Sequence, residues 1–550
     1  MMAVAPLRIG RFRYLWAASL VSNLGSFFYT VAASWLVWEL TASATWVGFI
    51  LAANTLPLLF LGLAAGAVAD LFDRTKVMVA SQVLMGVAAV AMTVISWLDQ
   101  MTPGLLLALA LIIGVGVAFN LPAWQALVPN LVPRGMLPSA IALNSAGFNV
   151  ARAVGPALAG VVIATAGAAA AFGINAISFV GVIVVVVAIG RHLEQSRPEQ
   201  GSITSAIALG IRFARFTPAF RRLLGLLALF ALTSAVVQSA LPSRTDELGG
   251  SAAIYGLLLG AMGAGALVAA FTRSRIMDML GSRSLGSTII VFGLAGVLLG
   301  VAPSVWVAGV ALAVAGGCWV LSLVTLNATS QTMSPEWARG RAMSLYTLAF
   351  TGVIPIGSVL GGVLADVVGA GNAITILSGG SVVLGLATPL FRIPLLDDVA
   401  APEFNEDANL GDHPRSLEGG PVMVSSTWTI DESDYMDFLD VMARIRLVRL
   451  STGAYRWRLY RNVGYPNRFT EVFLVGSWAE HVAQHRRIDD ASRLLIRHAR
   501  SFDRDDGPLS AHLLAVDVAQ PPDWAQLVDA HAELHRSDGS LPLEEPAAER

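Results

Sequence analysis

Residues 103–123 read PGLLLALALIIGVGVAFNLPA, a stretch without one charged side chain. A hydrocarbon core about 30 Å thick takes ~20 apolar residues of helix to cross. Without water to satisfy the backbone, only helices and closed barrels cross it. The run is continuous and does not alternate, so it reads as a helix. Working outward, similar runs place expected spans at 12–38, 45–69, 77–98, 103–123, 139–166, 169–190, 220–242, 251–272, 284–302, 304–326, 341–366 and 371–392. Composition agrees: the 550-residue chain is 55% hydrophobic and 13% charged, against ~25% charged in soluble domains. The expected fold class is an all-α polytopic membrane protein with twelve transmembrane helices in two six-helix halves. A C-terminal α+β domain of ferredoxin-like plan is expected to follow it.

Charge sets the orientation, because Lys and Arg mark cytoplasmic loops. Arg8, Arg11 and Arg13 open the first span, and Arg74 and Lys76 follow the second. Arg134 follows the fourth span, and Arg191, Arg197, Arg212, Arg215, Arg221 and Arg222 crowd the loop after the sixth. Arg273, Arg275 and Arg283 follow the eighth, and Arg339 and Arg341 the tenth. The alternate loops hold only Arg244, beside Asp246 and Glu247. Both termini are therefore expected in the cytoplasm, with the chain multi-pass in the plasma (inner) membrane. The lone cysteine, Cys318, lies within a span and leaves no intrachain disulfide to form.

The two halves echo each other. Asn120, Gln125, Pro129, Arg134 and Gly135 return as Asn327, Gln331, Pro335, Arg339 and Gly340, and Gln-x-x-x-Pro recurs 206 positions on. Gly155, Pro156 and Gly160 are echoed by Pro355, Gly357, Gly361 and Gly362. Such a repeat is a transporter architecture. The expected divisions are 1–195 and 220–393 for the halves and 196–219 for the loop between them. Residues 394–420 read as a linker, 421–520 as the cytoplasmic domain and 521–550 as a partly disordered end.

Between the second and third spans stands Gly66-Ala-Val-Ala-Asp70-Leu-Phe-Asp73-Arg74-Thr-Lys76. Glycine lets helices approach, and an acid at a helix end can cap a neighbouring helix. The segment resembles the signature loop of the major facilitator superfamily, Gly-x-x-x-Asp-Arg-x-Gly-Arg-Arg. Gly66, Asp70 and Arg74 match in place, and Lys76 supplies a second basic group one position late. Leu71, Asp73 and Thr75 depart from the pattern. The extra Asp-Arg is similar to the transmembrane secretion effectors, a subgroup related to siderophore exporters. The resemblance implies transport by alternating access, with this loop latching one half to the other. In the fifth span, Gly147, Gly155, Pro156 and Gly160 resemble the antiporter motif of superfamily exporters, with Ala151 and Ala159 where Gly is usual. Close helix packing explains the same residues without any bearing on direction.

Arg152 is the one full charge well inside a span, and such a charge faces a cavity or a partner. Asn144, Asn149 and Gln125 are its expected neighbours. It reads equally as a contact for an anionic or hydrogen-bonding substrate group and as a gating or snorkelling residue. Asn23, Tyr29, Asn54, Asn120, Gln125, Asn149, Gln238, Asn327, Gln331 and Tyr346 are the other cavity candidates, although each also serves as a helix–helix hydrogen bond. Glu39 and Asp366, at span ends near the outer face, are the candidates for proton coupling, with an interfacial structural role as the alternative. No P-loop occurs, and no dense polar ring suggests a channel.

Beyond residue 420 the pattern changes. Val422 to Ile430 alternates like a strand, a helix starts at Asp431-Glu432-Ser433-Asp434, and strands follow at 454–462 and 468–478. A helix at about 479–500 and a strand at 509–516 complete strand–helix–strand–strand–helix–strand. In Trp478, Glu480, His481, Gln484, His485 and Arg487 the module resembles the antibiotic-biosynthesis monooxygenase type of dimeric α+β barrel. His481 and His485 stand one turn apart with no third ligand in view, so a packed helix face is favoured over a metal or haem site. Oxygenase activity in this domain would require Tyr455, Trp457, His481 and His485 to converge. The expected function is secondary export, proton-coupled, of a siderophore, drug or similar small molecule. An importer of the same fold, or a tail with monooxygenase-like or regulatory activity, remains the alternative. No enzyme activity, catalytic residue, cofactor, metal or nucleic-acid partner is expected. The expected partners are the transported molecule, membrane lipid and a second copy through the tail.

Overall fold

The computed structural model describes residues 5–127, 131–190, 211–393, 421–505 and 507–515, and a few side chains within those ranges, Asp70 and Arg134 among them, fall outside the description. Pro129, most of the loop 196–219, the linker 394–420 and the end 521–550 also lie outside the described residues.

The first half consists of α1 (Gly10–Thr41), α2 (Ala44–Leu71), α3 (Arg74–Trp97), α4 (Pro103–Leu127) and α5 (Leu137–Gly190). Helix α3 begins where Asp73 accepts from the backbone N–H groups of Thr75 and Lys76, at 2.8 and 3.4 Å, a standard N-cap. Helix α5 has 54 residues, and Gly167 within it is non-helical at φ 79°, ψ 169°. An unbroken helix of that length would reach about 80 Å, far beyond a bilayer. Only glycine takes this backbone conformation without a steric penalty, and it falls between the runs 139–166 and 169–190.

The second half comprises α6 (Pro218–Ser234), α7 (Val236–Ser239), α8 (Leu241–Glu247), α9 (Ala252–Leu280), α10 (Ser284–Val301), α11 (Val305–Thr332), α12 (Glu336–Thr351), α13 (Ile354–Val368) and α14 (Ala370–Leu386). Among the described residues, ten helical segments are long and apolar enough to cross a membrane. Leu137–Ile189 counts as one of them, and Ala370–Leu386 is shorter. The run expected to stay helical to 392 stops at Leu386. A 3-10 turn, Thr388–Phe391, follows with Pro389 in its first positions, and proline cannot donate to the helix ladder.

Chain contacts gather into two units. The first takes in Met1–Gln200, Arg222–Thr329 and Tyr346–Ile393; the second takes in Gly201–Arg221, Ser330–Leu345 and Pro394–Arg550. In the first, Leu15, Met78, Leu127, Val182 and Val186 form a buried cluster joining α1, α3, α4 and the second part of α5. Two seams join the halves. A methyl group built on Gly160 of α5 would lie 2.8 Å from Gly256 Cα of α9, and one on Gly263 would lie 2.5 Å from Ala153 Cα. Likewise a methyl on Gly48 of α2 would lie 2.5 Å from the Ser358 carbonyl oxygen of α13, and one on Gly362 would lie 2.8 Å from Thr45 Cα. In lipid, apolar burial gives helices no reason to associate, so association rests on close backbone approach.

In the second unit, β1 (Val422–Thr429), β2 (Arg456–Arg461), β3 (Arg468–Val475) and β4 (Leu509–Leu514) form one antiparallel sheet in the order β2-β3-β1-β4. The helix α15 (Tyr435–Thr452) links β1 to β2, and α16 (Trp478–Arg486) and α17 (Asp490–Arg500) link β3 to β4. The single helix expected over 479–500 is thus two. Asp489 accepts from the Ser492 N–H at 2.8 Å and starts α17 afresh. Strands β1 and β3 alternate buried and half-buried side chains. One core cluster gathers Trp428, Phe438, Met442, Ile445 and Phe469. A second gathers Val422, Val424, Leu450, Phe473 and Val475, and Phe216 of the inter-half segment packs against it.

Candidate functional site

The signature segment lies at the junction of α2 and α3. Gly66 has open space around it, Asp70 stands in the last turn of α2, and Asp73 is the cap of α3. The departure at position 73 therefore has a local cause: it starts the next helix.

The small residues of α5 divide by face. Gly147 lies against Trp16, 3.4 Å from a methyl placed on it, and Gly155 against Phe27, at 2.9 Å; both neighbours belong to α1. Pro156 and Gly160 face Gly256 of α9. In the second half, Gly357 meets Leu232, Gly361 meets Val236, and Gly362 meets Ala44 and Thr45. The two motifs thus occupy both kinds of contact, within a half and across the halves.

Arg152 lies with its guanidinium carbon 4.3 Å from the centroid of the Trp319 ring of α11, and Trp319 in turn packs on Phe350 at 6.0 Å. Among the described residues no hydrogen bond joins Arg152 to Gln125, Asn144 or Asn149. A desolvated cation–π contact is worth ~2 kcal/mol. It joins the two halves, since α5 and α11 belong to different ones.

The other cavity candidates separate clearly. Tyr29 donates to Asn54 Oδ1 at 2.8 Å, and Asn54 donates to the Ile50 carbonyl at 3.1 Å. Asn120 Oδ1 accepts from Gln82 at 3.2 Å. Tyr346 donates to the Leu323 carbonyl at 3.2 Å and also bonds with Asn327. Asn23 and Asn149 are half-buried, whereas Gln125, Gln238 and Gln331 are exposed. Trp319, Gln82 and the buried Asn175 carry no sequence signal beyond their polarity or size in an apolar run, and sequence reasoning missed them.

Acids at the span ends are engaged. Glu39 accepts from Trp35 Nε1 at 2.6 Å. Glu247 accepts from the Ala370 and Gly371 N–H groups at 2.8 and 3.3 Å and pairs with Arg244 at 2.8 Å. Arg244 also donates to the Leu299 and Ala302 carbonyls, at 3.2 and 2.7 Å. Asp366 accepts from residues 43–45.

In the tail, Glu471 on β3 is fully buried between Phe469 and Phe473. It accepts from Trp457 Nε1 at 2.8 Å and from Arg449 Nε at 3.2 Å. His481 lies 4.7 Å from His485 and 4.8 Å from His512, between ring centroids. The third imidazole arrives through the register of β4, where His512 pairs with Val424, and no local pattern announces it. Burial, with His485, His512 and Arg449 nearby, holds His481 down at about 3; burial, with Arg449 and His512 nearby, holds His485 at about 4. All three rings lie near one another, but among the described residues no group of metal-ligating side chains is placed to hold an ion. Trp457 donates to Glu471 and packs against the cluster that includes Phe473, on which His481 also lies, while Tyr455 is exposed.

Two apolar helix sets, joined by close glycine seams and carrying a charged loop between the second and third spans, define a membrane transporter of the major facilitator fold. The chain belongs to the family of transmembrane secretion effectors, which it matches over residues 1–520. It is 27% identical over 410 residues to the multidrug efflux pump Tap of Mycobacterium tuberculosis, covering 72% of this chain and 96% of that one. It is 23% identical to the staphyloferrin A transporter of Staphylococcus aureus, covering 66% and 92%. Among solved structures, an auto-inhibited POT family peptide transporter matches with a TM-score of 0.58 at 13% identity, covering 72% of this chain and 99% of that one. A bacterial homologue of the human lysosomal transporter Spinster, inward-facing and occupied, matches at 0.55 and 14%, covering 72% and 99%. At those identities the likeness carries the fold alone.

Proposed function

We propose that this chain is a secondary exporter of a drug, siderophore or similar small molecule, working by alternating access. The observation that carries the reading is the pair of inter-half seams, α2 with α13 and α5 with α9. Both bring backbone against backbone at their glycines, a contact that can part and re-form. The family membership and the efflux pump and siderophore transporter among its relatives point the same way. In this reading the chain crosses the membrane twelve times: α5 reverses at Gly167, and Ala370–Leu386 makes the last crossing. Both termini are cytoplasmic and the membrane is the plasma (inner) membrane. Asp70, Asp73, Arg74 and Lys76, with Gly66, form the cytoplasmic latch, and Arg152 touches the cargo from the midplane. Glu39 and Asp366 serve the outer face. The tail is a ferredoxin-like module, related to the monooxygenase type of α+β barrel, that pairs with a second copy through its open sheet face.

Inverted vesicles test this directly. Ethidium and carboxyfluorescein serve as a cationic and an anionic probe, with and without an imposed proton gradient. Gradient-dependent uptake of either is expected. Asp70→Asn and Arg74→Ala are expected to cut it about tenfold or more, the scale of a lost charged hydrogen bond, with normal amounts of protein in the membrane. Wild-type flux in both variants would remove the latch from the mechanism. Accumulation only in right-side-out vesicles would favour an importer.

A further inference from the structure

Asp366 stands near the C-terminal end of α13, one helical turn beyond Gly362 and two beyond Ser358. Its carboxylate accepts four hydrogen bonds, and every donor lies in the other half of the protein. Ser43 Oγ donates at 2.6 Å, the Ala44 N–H at 2.6 Å, the Thr45 N–H at 3.1 Å and Thr45 Oγ1 at 2.6 Å. These donors are the cap and first turn of α2. Ser43 occupies the N-cap position but makes no capping bond of its own, so the capping oxygens come from a residue 323 positions away. An anion at a helix N-terminus is favoured by the dipole and by the unpaired N–H groups there. Below this point the seam is close-packed. Gly48, Ser358 and Gly362 bring α2 and α13 into backbone contact.

Resting on the exporter reading, we propose that Asp366 is the latch of the outer gate. Its bonds to residues 43–45 hold the outer ends of the two halves shut, and the outward-open state requires all four to be given up. Helix α2 then has an acid at each end. Asp366 grips its first turn from the opposite half, and Asp70 in its last turn belongs to the signature loop. A carrier that alternates cannot keep both ends closed through the cycle, so the two acids act in turn. The distinction from a fixed brace is that a latch must break during each cycle, whereas a brace must not.

Two measurements on the full-length protein decide it, both in a Cys318→Ser background so that no native thiol remains. In the first, Ser358→Cys reports the seam through its labelling by a membrane-impermeant maleimide from outside. Labelling is expected to be slow with Asp366 intact and about tenfold faster with Asp366→Ala, in line with the loss of charged hydrogen bonds. Asp366→Asn keeps one acceptor oxygen and is expected to fall between. Equal labelling in all three overturns the latch. In the second, Ser43→Cys is paired with Asp366→Cys. Oxidation to the disulfide is expected to abolish ethidium or carboxyfluorescein flux, and reduction to restore it. Flux that persists at the reduced level when cross-linking is complete means the gate never opens there, and overturns the proposal. Absence of flux for every probe in the unmodified protein would instead count against the exporter reading, while the labelling still decides the latch. Should Asp366→Ala fail to insert, the Asn variant and the cross-link carry the test.

Discussion

The α2–α13 seam and the sheet interior of the tail are both tightly packed, and they are built in opposite ways. The seam buries backbone against backbone and keeps its charge, Asp366, at the rim. The tail buries a charge at its centre: Glu471 sits between two phenylalanines, held by Arg449 and Trp457. The difference follows from the solvent. In lipid a helix gains nothing by hiding apolar side chains from its surroundings, so contact comes from small residues. In water the apolar faces of β1 and β3 drive the packing, and a buried carboxylate is tolerated only because its partners are supplied. A seam of the first kind can part once the bonds at its rim are given up; a core of the second kind opens only on unfolding.

The largest expected effect on transport comes from a wedge in a seam. Gly48→Val or Gly160→Leu places side-chain atoms where backbone now lies, and overpacking of this sort costs ~1–3 kcal/mol. Transport is expected to fall to background while the protein remains in the membrane, read by vesicle flux against a membrane-fraction blot. Normal flux in both would mean that the seams do not govern opening. Next comes the tail. Arg449→Ala leaves Glu471 buried without its cation, which costs ~3–5 kcal/mol. A marked drop in the unfolding temperature of the tail is expected, with flux less affected than by the wedges. Replacing the pair with Arg449→Met and Glu471→Leu should recover much of the loss.

Acid should separate the two regions as well. His481 and His485 are held at about 3 and 4 in the folded tail, whereas an unfolded histidine titrates near ~6.5. Below that value the unfolded chain takes up protons that the folded tail refuses. Tail stability is therefore full above pH ~6.5 and falls as pH drops toward 4. Thermal unfolding at pH 8 and pH 5 reads this, and His481→Gln with His485→Gln should flatten the difference. The smallest effect is expected at Arg152. Arg152→Lys keeps the cation but loses the flat guanidinium that lies on Trp319, so apparent affinity should weaken severalfold, about 1 kcal/mol on the cation–π scale. Arg152→Ala should weaken it further. Equal transport of several probes by both variants would make the residue purely structural.

Much of the membrane region was legible because charge-free runs of helix length have few other readings. The break at Gly167 fell between two such runs. The end of the last run was misplaced only because Pro389 stops the helix before the hydrophobicity does. Pairing was not legible. Trp319 meets Arg152, and residues 43–45 meet Asp366, through the packing of halves far apart in sequence, which no local periodicity encodes. In the tail the strand alternation gave β1 and β3 directly. The split of the helix over 479–500 has a readable signal, Asp489 three residues before Ser492. The approach of His512 had none, because it depends on how β4 registers against β1.

Phe216 carries a consequence for the order of synthesis. It packs against the buried cluster that Val422, Val424 and Phe473 belong to, yet the ribosome makes it some 200 residues before them. At the usual ~5–20 residues per second, an aromatic side chain on the segment between the halves waits roughly 10–40 s for its partners. Throughout that time the first half is already made and the second is entering the membrane. The newborn chain therefore passes through a stage in which this ring, set among the arginines of the segment between the halves, has not yet met the sheet it packs against.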